Sequence, residues 1–370
     1  MYNLFSIYFK SLINLISINL SNKTTSKKKI IFFYFPKDDL TLKDIRYVEY
    51  IFKKLKKKFI IIFGHNIKKI KKQNFYFIKE NFLPYLKNID IFVSNYICYR
   101  FPKNTKKIYL HHCIYDTPLT GKNREKETFI SLLKYDFIFL SSKKIIVSFN
   151  KYFNLKRKQT IKFISSGYPR LDYLNKVSKK KKKNSIIIAI ANNVAYPDYS
   201  IINNILPIIR ILSLNFNYKI IIRPHPANRK YFNKKNFSEI YEEIEKNSNI
   251  RIDFNDNYLN SYNQSLLMIT DLSGTAYTFS FLTNSPVLFF SINEKKASKE
   301  YSSLNHFEDR KKIGDVITDI NDLKKAIKKL ISNKNRYRKK IIILKKNRLD
   351  FFGKTQERFG HLINHISEKN

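Results

Sequence analysis

Short apolar runs alternate with stretches of helical apolar spacing almost from end to end of the 370 residues. Runs such as FIIIF at 59–63 and LLMIT at 266–270 carry no polar alternation, which is the pattern of strands in parallel sheets covered by helices on both faces. The pattern predicts strands at 30–35, 59–63, 89–93, 107–110, 136–140 and 161–165. A second set is predicted at 186–190, 219–223, 250–254, 266–270, 286–290 and 316–318, with helices such as 200–213, 237–247 and 321–332 between them. The like-charge run KKKKKN at 179–184 cannot pack and reads as a solvated linker between the two sets. The expectation is an α/β chain of two Rossmann-like open parallel-sheet domains, 29–176 and 185–333, facing a cleft, with basic helices at 334–370 packing across them. In such sheets ligands bind beyond the carboxyl ends of the strands, so that is where chemistry is sought.

The opening MYNLFSIYFKSLINLISINL changes this picture at one end. On a helix, Ser6, Lys10, Asn14 and Ser17 share one side, and Leu4, Phe5, Tyr8, Phe9, Leu12, Ile13, Leu15, Ile16 and Leu20 share the other. The run is short for a membrane span and is interrupted by Lys10, and Lys23, Lys27, Lys28 and Lys29 follow it. Residues 1–28 are therefore expected to lie in the plane of an anionic membrane surface, or else to pack on the protein itself.

Lys and Arg total 71 against 29 Asp and Glu, a formal net charge of +42. That excess raises nucleic acid or an anionic membrane as partner. The same abundance of Lys, Ile, Asn, Tyr and Phe would also follow from A/T-biased coding DNA, and no nucleic-acid recognition motif is present, so a nucleic-acid partner is not expected. Two cysteines, Cys98 and Cys113, without C-x-x-C spacing, suit a reducing cytoplasm and leave no structural zinc site.

Three strand ends carry polar residues suited to chemistry. In IYLHHCIYDTPLTG (108–121) a strand runs into His111 and His112, followed by Asp116 and Thr117; imidazole titrates near neutrality and can take a hydroxyl proton. In IIIRPHPAN (220–228) prolines on both sides hold His225 beside Arg223, a stiff arrangement that suits an anion. In ITDLSGTAY (269–277) Asp271 closes a strand, and Ser273, Gly274 and Thr275 open a helix whose bare amides can receive phosphate. No Gly-x-x-x-x-Gly-Lys loop and no convincing metal element accompany them. Two anion sites and a base describe transfer from a diphosphate donor without metal or other cofactor.

Four elements in this order, HHCIYDTPL, SGYPRLD, IIRPHP and ITDLSGTAYTFSFLTNSPVLFF, resemble the CDP-glycerol glycerophosphotransferases that prime and polymerise teichoic acids. The resemblance runs from about residue 105 to the end. It implies a GT-B fold, a peripheral location on the inner face of the cell membrane, and transfer of a glycerol phosphate or similar group from a CDP-linked donor. The acceptor would be a hydroxyl on a lipid-linked or glycan molecule, and CMP would be released. It also implies a base at His112 or His111, with His225 at the phosphate, and donor contacts from Arg223, Ser273, Gly274 and Thr275. Gly167, Pro169, Arg170 and Asp172 match the family's interdomain element. Two histidines and the inserted CIYD depart from the family's first motif, and Leu272 and Gly274 from its last, so CDP-ribitol or a nucleotide sugar remains open as donor. The alternatives are a GT-B nucleotide-sugar glycosyltransferase of capsule or lipopolysaccharide synthesis, and a basic nucleic-acid-binding protein.

Overall fold

The computed structural model describes residues 2–23, 31–35, 50–52, 55, 59–63, 75–95, 97–111, 113–115, 130–152, 161–179, 181–193, 196–255, 257–301 and 306–368. In chain order the helices are α1 (Tyr2–Lys23), α2 (Lys143–Tyr152), α3 (Pro169–Val177), α4 (Ile205–Asn215), α5 (Ser238–Lys246), α6 (Leu259–Asn263), α7 (Thr275–Thr283), α8 (Glu294–Tyr301), α9 (His306–Ile313), α10 (Leu323–Ser332), α11 (Lys334–Arg348) and α12 (Thr355–Glu368). The chain divides into two compact units, Met1–Tyr173 with Leu349–Asn370, and Leu174–Arg348.

The first unit holds a sheet of β1 (Ile31–Phe35), β2 (Phe59–Phe63), β3 (Phe75–Phe77), β4 (Ile91–Ser94), β5 (Lys106–Leu110), β6 (Phe137–Leu140) and β7 (Lys162–Ser165). Its order is β3-β2-β1-β4-β5-β6-β7 and every pairing is parallel. The six expected strands are all present within a residue or two. β3 is additional; three residues are too few to stand out as a run. Alternate residues divide between the faces as strand geometry requires. Ile61, Ile91, Val93, Ile108 and Leu110 pack with Phe359, Leu362, Ile363 and Ile366 of α12, whereas Ile60, Ile62 and Phe92 pack with Leu15 and Ile18 of α1. The last helix in the sequence thus covers one face of the first sheet.

A local device holds that helix there. Asp172 on α3 accepts hydrogen bonds from the Thr355 amide at 3.0 Å and hydroxyl at 2.6 Å. Asp350 accepts from the Ser165 hydroxyl at 2.6 Å and the Lys143 amide at 2.8 Å. Gly167, at φ +73°, lets the chain run directly against the Asp350 carbonyl and the Thr355 side chain, where a Cβ would collide with both.

The second unit holds β8 (Ser185–Ala189), β9 (Lys219–Arg223), β10 (Ile250–Ile252), β11 (Ser265–Thr270), β12 (Val287–Phe290) and β13 (Gly314–Ile317), again all parallel, in the order β10-β9-β8-β11-β12-β13. Ile186–Ile188, Ile220–Ile222, Leu267–Ile269 and Val287–Phe290 are buried throughout, as a sheet covered on both faces demands. The order reverses between β8 and β11. Crossovers leave on opposite faces there, and the exits of β8, β9 and β11 surround the switch point where doubly wound sheets bind ligands.

Candidate active site

The candidate residues of the second unit gather around this switch point through buried polar contacts. After β9, Arg223–Pro224–His225–Pro226 leads into a single 3-10 turn, Pro226–Asn228. His225 caps it: its Nδ1 accepts the Ala227 amide at 3.1 Å. An accepting Nδ1 carries no proton, so a neutral ring carries its proton on Nε2 and donates from there. The two prolines restrict the backbone on either side, with His225 at φ −56° and ψ 146°, and the Ala227 hydrogen bond orients the half-buried ring.

Three residues on, Asn228 is buried, donates to the Ala191 carbonyl at 2.7 Å and accepts from the Asn193 amide at 3.1 Å. From the other side Asp271, also buried, accepts the Ala191 amide at 3.1 Å and the Ile201 amide at 3.2 Å. Loop 191–193 at the exit of β8 is therefore clamped between the exits of β9 and β11. Burial pushes the Asp271 carboxyl up to about 7, against the pull of the Ile201, Ala191 and Ser273 amides. Asn228 was not among the sequence candidates; its place at the end of RPHPAN was the available signal.

α7 begins at Thr275, with Leu272, Ser273 and Gly274 between it and Asp271. Gly274 stands at its N-cap position without a side-chain cap; the Ala276 amide of the first turn donates to the Ser273 carbonyl at 3.1 Å, which leaves the Gly274 and Thr275 amides as the candidates for an anion. Ser273, Gly274 and Thr275 are half-buried. The Thr275 hydroxyl is shared with the Tyr262 hydroxyl of α6 in a short hydrogen bond.

Arg223 lies buried beneath these elements rather than on their surface. Its Nη1 donates to Asp253 Oδ2 at 2.6 Å, its Nη2 to the Asn255 carbonyl at 2.8 Å, and its guanidinium lies 5.7 Å from the Tyr258 ring centre. Asp253 also accepts the Ser261 hydroxyl at 2.5 Å. Burial alone would raise this carboxyl, but the Ser261 hydroxyl and the Arg223 charge outweigh it and hold it below its ordinary value. α6 thus ties the two anion motifs together: Ser261 reaches the Arg223–Asp253 pair while Tyr262 reaches Thr275.

In the first unit, His111 follows β5 and is 2% exposed, with its Nδ1 2.7 Å from the Phe139 carbonyl and its ring 5.0 Å from Tyr168. A ring donating from Nδ1 to that carbonyl leaves its proton-accepting atom at Nε2, which is buried with no partner among the described residues. Burial lowers its pKa to about 4, against the pull of the Phe139 carbonyl. His112, Asp116 and Thr117 lie outside the described residues. Gly167 and Asp172 hold the α12 segment, and Arg170 is half-buried at the start of α3. Among the described residues no three His, Cys, Asp or Glu side chains are grouped so as to hold a metal ion.

Residues 209–363 match the family of CDP-glycerol:poly(glycerophosphate) glycerophosphotransferases. The stretch contains the His225 loop, the start of α7 and most of α12, and it leaves the HHCIYDTPL and SGYPRLD elements outside. The fold resembles the wall teichoic acid polymerase TagF, at 18% identity and a TM-score of 0.64 over 100% of this chain and 98% of that one. The UDP-GlcNAc 2-epimerase of Methanocaldococcus jannaschii superposes with a TM-score of 0.57 at 13% identity, covering 92% and 100%. MnaA of S. aureus gives 0.59 at 14%, covering 92% and 96%. No curated protein matches the sequence. At these identities the structural likeness speaks for the fold, a pair of parallel sheets of GT-B type.

Proposed function

We propose, from the premise that this chain is a transferase enzyme of the CDP-glycerol:poly(glycerophosphate) glycerophosphotransferase family, that it moves a polyol phosphate from a CDP-activated donor to an acceptor hydroxyl. The acceptor oxygen attacks the β-phosphorus, the bond from that phosphorus to the bridging oxygen breaks, and CMP leaves with the electron pair. His112 is the base that takes the acceptor's proton; His111, buried and held by the Phe139 carbonyl, positions its neighbour. His225 Nε2–H and the Gly274 and Thr275 amides at the start of α7 take up the charge that develops on the diphosphate, as donors fixed in advance do. Arg223 works through the loop it holds, since its Nη atoms are engaged by Asp253 and Asn255.

The observation that carries this reading is the clamp on loop 191–193, where Asn228 and Asp271 draw the His225 loop and the start of α7 to either side of one strand exit, at the switch point of the sheet. The acceptor is taken as lipid-linked or glycan. No helix of the described residues is long and apolar enough to cross a membrane; α1 is the element proposed to hold the chain at the inner face. Its Ser11, Asn14 and Asn19 bond to the protein, at Lys79, Phe77, Tyr85 and Lys87. Phe9, Leu12, Ile13, Ile16 and Leu20 stand exposed along its other side. Supplying CDP-glycerol, CDP-ribitol and UDP-sugars in turn, with membrane lipid present, and identifying the released nucleotide is the deciding experiment. CMP release supports the proposal. Release of UDP alone would replace it by nucleotide-sugar transfer, the second reading, which is favoured by the fold shared with the UDP-GlcNAc epimerase.

A further inference from the structure

Beside the Arg223–Asp253 pair the second unit has a crevice of about 410 Å³, whose lining includes Lys181, Arg251, Asp253, Asn255, Asn260 and Gln264. Its size suits one small molecule. The chemistry of its walls is unusually narrow. Asp253 gives its charge to Arg223 and Ser261, so the net charge facing the crevice is that of Lys181 and of Arg251 on the edge strand β10. Arg251 spends one donor on the Ser261 hydroxyl, at 3.3 Å, and is otherwise exposed. The side-chain amides of Asn255, Asn260 and Gln264 have no partner among the described residues. Amides both donate and accept, as hydroxyls do, and the cations suit a phosphate. None of the lining residues is aromatic or aliphatic, so neither a nucleobase nor a pyranose ring would find a face to stack on.

We propose that this crevice is a second binding site, for an acyclic polyol phosphate, with Arg251 and Lys181 on the phosphate and the amides of Asn255, Asn260 and Gln264 on the hydroxyls. The transferase reading supplies only the identity of the polyol, glycerol, and the source of the ligand, a unit of the growing polymer or a free monomer. Because Asp253 borders the crevice and also holds Arg223, a ligand here sits one side chain away from the His225 loop.

The test is calorimetric titration of the full chain with glycerol 3-phosphate, a synthetic glycerol-phosphate oligomer, inorganic phosphate and glycerol. Glycerol 3-phosphate is expected to bind at least about tenfold more tightly than phosphate or glycerol; Arg251→Gln is expected to weaken it at least about tenfold, the loss usual for a hydrogen bond to a charged group, and Asn260→Ala about threefold to tenfold, the loss usual for a neutral one. CMP release by both variants should stay within about twofold of the unaltered chain. Tighter binding of the oligomer would assign the site to polymer, and equal binding to free monomer. Phosphate binding as well as glycerol 3-phosphate, affinity untouched by either substitution, or loss of CMP release together with binding would each overturn the proposal. A chain that releases no nucleotide yet binds glycerol 3-phosphate through Arg251 would refute the transferase reading and leave this site standing.

Discussion

His225 shows what a single side chain contributes when its backbone is fixed. With Nδ1 occupied by the Ala227 amide, it can serve the phosphate only as an Nε2–H donor. Replacing His225 by Ala should lower kcat for CMP release by roughly 10²- to 10³-fold, the usual effect of losing one preorganised donor, while the far-ultraviolet spectrum is unchanged. An unaltered kcat would remove it from the reaction. Asp271 makes a second claim at this scale, through pH. Its carboxyl is raised from 3.8 to about 7, so between these values the folded chain holds the proton more tightly than the unfolded one. Its contribution to stability is full below the lower value and is lost as pH rises to the upper. The melting temperature of Asp271→Asn should therefore lack a decline between about pH 4 and 7 that the unaltered chain shows. His111 has the opposite sign: its pKa is lowered to about 4, so its contribution is full above pH 6.5 and lost on acidification towards 4.

Elements in this protein are joined by small polar contacts that the hydrophobic pattern does not announce. The strands could be read from apolar runs because a strand covered on both faces has no polar positions to spare. β3 could not, being only Phe75–Phe77. The SGYPRLD element was legible as a motif, but its partners in the first unit are Asp350 and Thr355, about 180 residues away in sequence. Gly167→Ala should force a Cβ into both and a left-handed backbone on alanine, costing about 1–2 kcal/mol of backbone strain besides the collision. The expected result is faster amide exchange across α12 with little change in the second unit. Equal protection of α12 in the variant would contradict the docking role. Truncating Phe359, buried among Phe52 and Phe139, should cost roughly 3–5 kcal/mol in the same unit.

For the whole molecule the excess of cations and the outward apolar side of α1 belong together. One side of α1 docks on the protein through buried Leu15 and Ile18 and the bonded Ser11, Asn14 and Asn19, while the other presents Phe9, Leu12, Ile13, Ile16 and Leu20 outward, where an ordinary surface helix would be polar. Changing Ile13 and Ile16 together to Glu should lower sedimentation with anionic vesicles more than tenfold, since each exposed Ile is worth about 2 kcal/mol on burial. Neither side chain lies in the core, so the melting temperature should hold. Unchanged sedimentation would end the idea that α1 meets the bilayer.

The sequence by itself determined two parallel sheets, their strand positions, the order of the polar strand ends and the family resemblance, because apolar runs and short motifs are local properties of the chain. Only the tertiary structure decided that Arg223 turns inward to Asp253, that Asn228 and Asp271 share loop 191–193, and that α12 returns to cover the first sheet. These are choices among partners 30 to about 300 residues apart, and a side chain's sequence neighbours do not say which buried group it will meet. That is settled when the strands take their order and the buried groups must be paired.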